Sequence, residues 1–178
     1  MAECVLRELN LADLGGDFLS GFHRRQETRR VWYIEDGEWK QKDDFFIDEW
    51  DGQKKQLVIE DLKNCVRTGG SVVGAYDAGM LIGFANVEGT LFGSKGQYLE
   101  LPYIHISSEH RGKGIGKKLF ASCCRLAREK GAKKLYIAAH PSVETQQFYR
   151  SVGCVLAAEI NPRIYEKEPL DIQLERVL

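Results

Sequence analysis

Proline is scarce in this chain, with four in 178 residues, and there is no Pro/Ser-rich or low-complexity tract that would mark a linker. One domain spanning residues 1–178 is therefore expected, long enough to bury a sizeable core. Charge of one sign is not in excess either, since the net charge at pH 7 is −1. No global field exists to gather nucleic acid or an anionic membrane, so neither is expected as a partner. No apolar run approaches the roughly 20 residues that a bilayer span needs. The N-terminal MAECVLRELN lacks a basic segment followed by an apolar one, so no signal peptide is expected. A CxxC spacing is missing too. The five cysteines (Cys4, Cys65, Cys123, Cys124, Cys154) are odd in number and mostly fall in apolar or helical stretches. They read as small buried hydrophobes in a reducing cytoplasm rather than as a disulfide framework or a zinc site. No metal-ligand cluster stands out, and no metal is expected.

What is present is a regular alternation of elements. Residues 3–9 alternate as a first strand, and Asn10 or Asp13 can cap a short helix running to about Gly21. Residues 22–50 hold all three tryptophans, with Asp36-Gly37 as a hairpin turn between VWYI and EWK. Val58, Leu62, Cys65 and Val66 have helical spacing over residues 53–67, ended by Gly69-Gly70. SVVGAY and MLIGFANV read as strands joined at Asp77-Ala78-Gly79. QYLELPYIHIS is a longer β-rich run in which Pro102, without an N–H, implies a bulge or an unpaired edge. A helix follows from about Gly114 to Lys130, then the apolar strand KLYIAA, a helix opened by Pro141-Ser142, and two final strands over residues 154–160 and 166–177. The fold class expected is α/β, with a mixed, mostly antiparallel central sheet and a parallel β-α-β crossover.

Between a strand and a helix lies Arg111-Gly112-Lys113-Gly114-Ile115-Gly116. Alternate glycines let the backbone approach a ligand. Free N–H groups at the helix start favour an anion, and Arg111, Lys113, Lys117 and Lys118 add positive charge. A phosphate or diphosphate suits the loop. It is not a Walker loop, because Gly116-Lys117 is followed by Lys118 rather than by a hydroxyl residue. It is not a Rossmann fingerprint, because the glycine spacing is wrong.

In order along the chain, YLELPYIHIS, HRGKGIGKKLF, KLYIAAH and SVETQQFYRSVGC closely resemble the GCN5-related N-acetyltransferase (GNAT) superfamily over about Gln97–Cys154. The resemblance implies the acyl-CoA N-acyltransferase fold and acetyl-CoA as cosubstrate. It implies that Arg111, Gly112, Lys113, Gly114, Ile115 and Gly116, with Lys117 close by, wrap the coenzyme diphosphate. Ile104, His105 and Ile106 would pair with the pantetheine as an added strand. Tyr149 matches the tyrosine that protonates the departing thiolate, and a phenol near pKa 10 suits that task. Phe148 would pack, against the protein or the coenzyme. Many relatives carry asparagine where this chain has Ser142, which can cap the helix and reach the coenzyme. Glu100 takes the place of the glutamate of histone-acetylating relatives and is the candidate base, with Glu88 and His105 as alternates. By strict alternation His105 faces away from Glu100, though the irregularity at Pro102 disturbs that parity. The mechanism implied is direct attack by a neutral amine, with backbone stabilisation of the oxyanion and no acyl-cysteine.

The resemblance leaves the acceptor open. A small-molecule amine is expected first, with a protein or peptide amine or a non-catalytic coenzyme sensor as alternatives. The aromatics of residues 22–50 read as an acceptor pocket, as core, or as a homodimer contact. Arg24, Arg25, Arg29 and Arg30 read as a carboxylate or phosphate site on the acceptor side, or as a solvated face.

Overall fold

The run around Pro102 splits into two short strands that join different sheets. The computed structural model describes residues 3–178. In chain order these form β1 (Val5–Leu9), the hairpin β2 (Arg25–Glu35) and β3 (Glu38–Glu49), α1 (Gly52–Arg67), β4 (Ser71–Asp77) and β5 (Met80–Val87). Then come β6 (Tyr98–Glu100), β7 (Ile104–Ile106), α2 (Ile115–Glu129), β8 (Lys134–Ala139), α3 (Val143–Ser151), β9 (Val155–Leu156), α4 (Pro162–Lys167) and β10 (Ile172–Val177). One sheet has the order β1-β4-β5-β7 and is antiparallel. The second has the order β6-β8-β10-β9, with β6 and β8 parallel. Residues expected from the sequence to form a mixed α/β fold do so.

Hydrogen bonds show how the run divides. Leu101 N–H makes a last bond to the Tyr136 carbonyl, 2.9 Å. Pro102 has no N–H to offer. Tyr103 then turns to the other sheet: its N–H donates to Asn86 Oδ1 at 3.0 Å, and its carbonyl accepts from Asn86 N–H at 3.0 Å. From there β7 pairs with β5, at Gly83↔Ile106 and Ala85↔Ile104. Beyond Leu101, β7 and β8 are no longer joined in a ladder, so the two sheets part at this point.

Two helices cover opposite faces of the first sheet. α1 buries Val58, Ile59, Leu62 and Cys65 against Leu9, Val72 and Phe84. α2 buries Leu119, Phe120 and Cys123 against Val73, Ala75 and Ala85. The alternation Val72/Val73 and Phe84/Ala85 sends one residue of each pair to each helix, as a pleated strand must. Full burial of side chains such as Leu62 or Leu119 stabilises by about 1.5–3 kcal/mol each. Four cysteines are buried and all five are free thiols.

Three expectations need correction. The helix to Gly21 is a single 3-10 turn, Leu11–Asp13, with a capping box in which Asn10 and Asp13 bond each other's backbone. Gly15-Gly16 follows at once, and glycine weakens helix propagation, so the chain continues as turns. The strand over 154–160 is only Val155–Leu156, and that over 166–177 begins at Ile172. Between them α4 opens with Asn161 accepting from Ile164 N–H and Pro162 at its first position, a start signal readable in the sequence.

The hairpin has the expected turn, with positive φ at Asp36 (52°) and Gly37 (76°). It reaches from one sheet's end to the other's. Near β7, His23 N–H donates to Ser107 Oγ (3.0 Å). Near α3, Trp32 N–H donates to the Pro141 carbonyl (2.8 Å). Trp32 and Trp39 meet edge to face, with Arg150 stacked over both.

Candidate active site

The glycine loop runs from the end of β7 into α2. Gly112 and Gly114 adopt φ of 78° and 79°, a region where a side chain is strained. Gly114 is the N-cap of α2, with no side-chain cap bond. The first N–H groups of the helix therefore have no intrahelical partner, and the helix dipole adds to them. Lys113 and Lys117 are exposed beside this end. Arg111 folds back so that its Nε–H donates to the Ile106 carbonyl, 3.3 Å, which ties the loop to β7. A Cβ on Gly116 would lie 3.1 Å from the Phe148 ring, so Phe148 packs on the loop and couples it to α3. Ile115 points inward at 5 % exposure and anchors the loop in the core. The open backbone and the surrounding cations fit an anionic diphosphate.

Tyr149 lies one residue beyond Phe148 and is 6 % exposed, packed against the rings of Phe148 and Phe120. Burial, then the neighbouring Cys154 and Asp171, push its hydroxyl pKa up, so it holds its proton at neutral pH. Ile104 and Ile106 pack toward the core that α2 covers, while the half-buried His105 meets Trp50 at 4.8 Å and Phe84 at 5.9 Å on the α1 side. Burial first, then the charges of Arg24 and Arg111, hold His105 well below the usual histidine value. A neutral ring with little proton affinity is a poor base.

Ser142 is fully buried and fully engaged. Its Oγ accepts from Thr145 N–H (3.1 Å) and Gln26 Nε2 (2.9 Å) and donates to Thr145 Oγ1 (2.8 Å). The hydroxyl caps α3 and fastens the hairpin to it. Beside it, Ser142 N–H donates to His140 Nδ1 (3.1 Å), so the ring proton sits on Nε2, toward Asp48 (3.0 Å).

Glu100 lines a cavity of about 440 Å3 on the α1 side. The walls carry five carboxylates, Asp61, Glu88, Glu100, Glu168 and Asp171, against two lysines, Lys54 and Lys167. None of the five is in an ion pair among the described residues. Burial pushes the Glu100 and Glu88 carboxyls up. Burial, with Glu168 and Asp48, pushes Asp171 up to about 7. Tyr103 lines the same cavity and lies 6.0 Å from the His105 ring. Glu100, Tyr103 and His105 thus all lie on the α1 side of their sheets, and the break at Leu101-Pro102 inverts the alternation that strict strand parity requires.

Strand order thus brings together Glu100, Glu88 and the α1 face, while the loop and Tyr149 approach from the other side of β7. Sequence reasoning missed Asp61, Glu168 and Asp171. They come from three separate elements and share no spacing, and Asp171 stood inside an expected strand. Of the arginines in the hairpin segment, Arg25, Arg29 and Arg30 are exposed and face Glu27, Glu49 or Asp43, whereas Arg24 is buried.

The family model "Acetyltransferase (GNAT) family" matches residues 23–154. Among solved structures, nourseothricin acetyltransferase is similar at 17% identity, covering 98% of both chains with a TM-score of 0.70. A protein assigned as a streptothricin acetyltransferase of Bacillus anthracis, in complex with acetyl coenzyme A, is similar at 17% identity over 99% of both chains, TM-score 0.72. An N-acetyltransferase of Thermoplasma acidophilum with coenzyme A shares 16% identity over 99% of both chains, TM-score 0.59. At these identities the likeness is one of fold. No curated protein sequence matches the chain. Among the described residues no helix is long and apolar enough to cross a membrane, and no group of His, Cys, Asp and Glu side chains is arranged to hold a metal ion. With the family model covering the loop, β7, α2, β8 and α3, the chain belongs to the GNAT acetyltransferase family and is an acetyl-CoA-dependent acetyltransferase.

Proposed function

We propose that this enzyme transfers the acetyl group of acetyl-CoA to a primary amine of a small, cationic molecule. The observation that carries this reading is the cavity of about 440 Å3 lined by five carboxylates against two lysines, with none of the five in an ion pair among the described residues. Like charges crowded in a half-buried space are unfavourable unless a cation joins them. An ammonium group is the natural counterion, and the same carboxylates can take its proton.

The residues divide the work. Arg111 to Lys117 hold the diphosphate with backbone N–H groups and cations. The free edge of β7, at Ile104, His105 and Ile106, offers backbone groups to the pantetheine. Glu100, with Glu88 beside it and Asp171 on the same cavity, takes the proton of the bound ammonium directly or through water, and the neutral amine then attacks the acetyl carbonyl. Burial raises each carboxyl pKa and so makes it a stronger base than a solvated carboxylate. Tyr149 stays protonated and donates to the departing sulfur. Residues 1–178 act together in this reading, as one domain.

A panel of amines assayed for free coenzyme A thiol tests it. Small amines with additional positive charge should release thiol fastest. Turnover only with peptides or proteins would replace the acceptor class. Binding of acetyl-CoA with no thiol release from any amine would favour a coenzyme sensor.

A further inference from the structure

Among the described residues, Arg24 is a buried cation in no ion pair. The side chain comes from the first residues of the hairpin, where Trp50 N–H donates to the Arg24 carbonyl (3.0 Å). The residue is 7 % exposed. Its Nη2 donates to Gln26 Oε1 at 2.9 Å, while Nε and Nη1 are buried without any partner. The guanidinium carbon stands 5.8 Å from the Trp50 ring centroid, and that ring packs on His105 of β7. Gln26 in turn bonds Ser142 at the start of α3. Arg24 therefore lies between the end of β7 and the end of β8, where the two sheets part.

Buried donors in native proteins nearly always find acceptors, and a guanidinium is the least tolerant of being left without one. Here the surroundings make matters worse rather than better. Burial, followed by the like charge of Arg111, lowers the pKa of Arg24 to about 10, and only Asp48 works against this. Asp48 is already hydrogen-bonded to His140. Two arginines close enough to repel, neither in an ion pair among the described residues, are a site that an oxyanion completes.

We infer that Arg24 donates from its two unpartnered nitrogens, Nε and Nη1, to the anionic oxygens of a bound substrate in the gap between β7 and β8. This rests on the acetyltransferase reading of that gap. Two substrates could bring such an oxygen: the coenzyme through its phosphates, or an acceptor through a carboxylate beside its amine. Arg111 belongs to the diphosphate loop, so the coenzyme is the expected source.

The test compares wild-type protein with Arg24→Met, which keeps the apolar stem and removes every donor. Acetyl-CoA and phosphate-free acetyl-pantetheine are titrated into both. If the coenzyme is the source, Arg24→Met weakens acetyl-CoA about tenfold or more and leaves acetyl-pantetheine unchanged, as loss of charge-assisted bonds predicts. If the acceptor is the source, both donors bind normally, and KM rises for a carboxylate-bearing amine but not for its carboxamide analogue. Unchanged values for all four ligands in a folded variant would overturn the inference and leave Arg24 as packing for Trp50. Should Arg24→Met not fold, Arg24→Lys carries the same comparison with the charge kept and the donor geometry lost. Failure of the wild-type protein to bind acetyl-CoA would be a different result, against the coenzyme reading itself.

Discussion

Strands β6 and β7 begin as one run of sequence and end in surroundings of opposite charge. Around Glu100 stand Glu88, Asp61, Glu168 and Asp171, outnumbering Lys54 and Lys167 on the same cavity. Around His105 the charges that act are those of Arg24 and Arg111 foremost. Four residues separate Glu100 from His105, and Pro102 is one of them. A net charge of −1 conceals this polarity. The lesson is that a near-neutral chain can segregate its charges along one cleft, because the break in one strand assigns its two halves to different neighbours.

Tyr149 stands where these two ends meet, since Asp171 of the acidic cavity acts on its hydroxyl. Tyr149→Phe should lower kcat about 100-fold, the scale of lost general acid catalysis, with acetyl-CoA affinity intact. Calorimetric titration beside single-turnover kinetics separates the two, and an unchanged kcat would remove the tyrosine from the chemistry.

Asp171→Asn probes the strain of the acidic end. The Asp171 carboxyl titrates at about 7 in the fold against 3.8 ordinarily. A raised folded pKa means that its contribution to stability is complete below about pH 4 and is lost as pH rises through about 7. Thermal melts at pH 8 should therefore show the variant stabilised by about 2 kcal/mol, with the advantage fading toward pH 5. Parallel wild-type and variant curves over that range would mean that the carboxylates are not in conflict.

The pair Glu88→Gln and Glu100→Gln, made together, should raise KM for a dicationic amine about tenfold and leave acetyl-CoA affinity unchanged, because only the acidic end is altered. A matching loss of acetyl-CoA affinity would show that the two ends are not separable. Gly114→Ala acts at the other end. At φ 79° an added Cβ costs about 1–2 kcal/mol of backbone strain, and acetyl-CoA affinity should fall while acceptor KM stays. The smallest effect is expected from Gly116→Ala, whose Cβ meets Phe148 at 3.1 Å and needs that ring to shift by a few tenths of an ångström.

The cationic end was largely legible in the sequence. Alternating glycines between a strand and an amphipathic helix state a local geometry, and Pro102 states a break. Both are effects of neighbouring residues on the backbone, which is what sequence periodicity records. The acidic end was legible only through Glu100 and Glu88. Asp61 on α1, Glu168 after α4 and Asp171 before β10 meet because three elements pack around one gap, and nothing in their spacing says so. Arg24 shows the same limit from another direction. In the sequence it stands beside Arg25 as one of four similar arginines, and only its inward-facing position just before β2 sets it apart at 7 % exposure. The α4 helix was overlooked although Asn161-Pro162 announces it, because the apolar residues around it also suit strands.

The polarity of the cleft is tested most directly by coenzyme A thiol release from a series of primary amines differing in net charge from zero to three. The account predicts that kcat/KM climbs with acceptor charge at pH 8, and that the climb collapses in the Glu88→Gln, Glu100→Gln protein. A flat series, or a preference for neutral amines that survives in that protein, would contradict it.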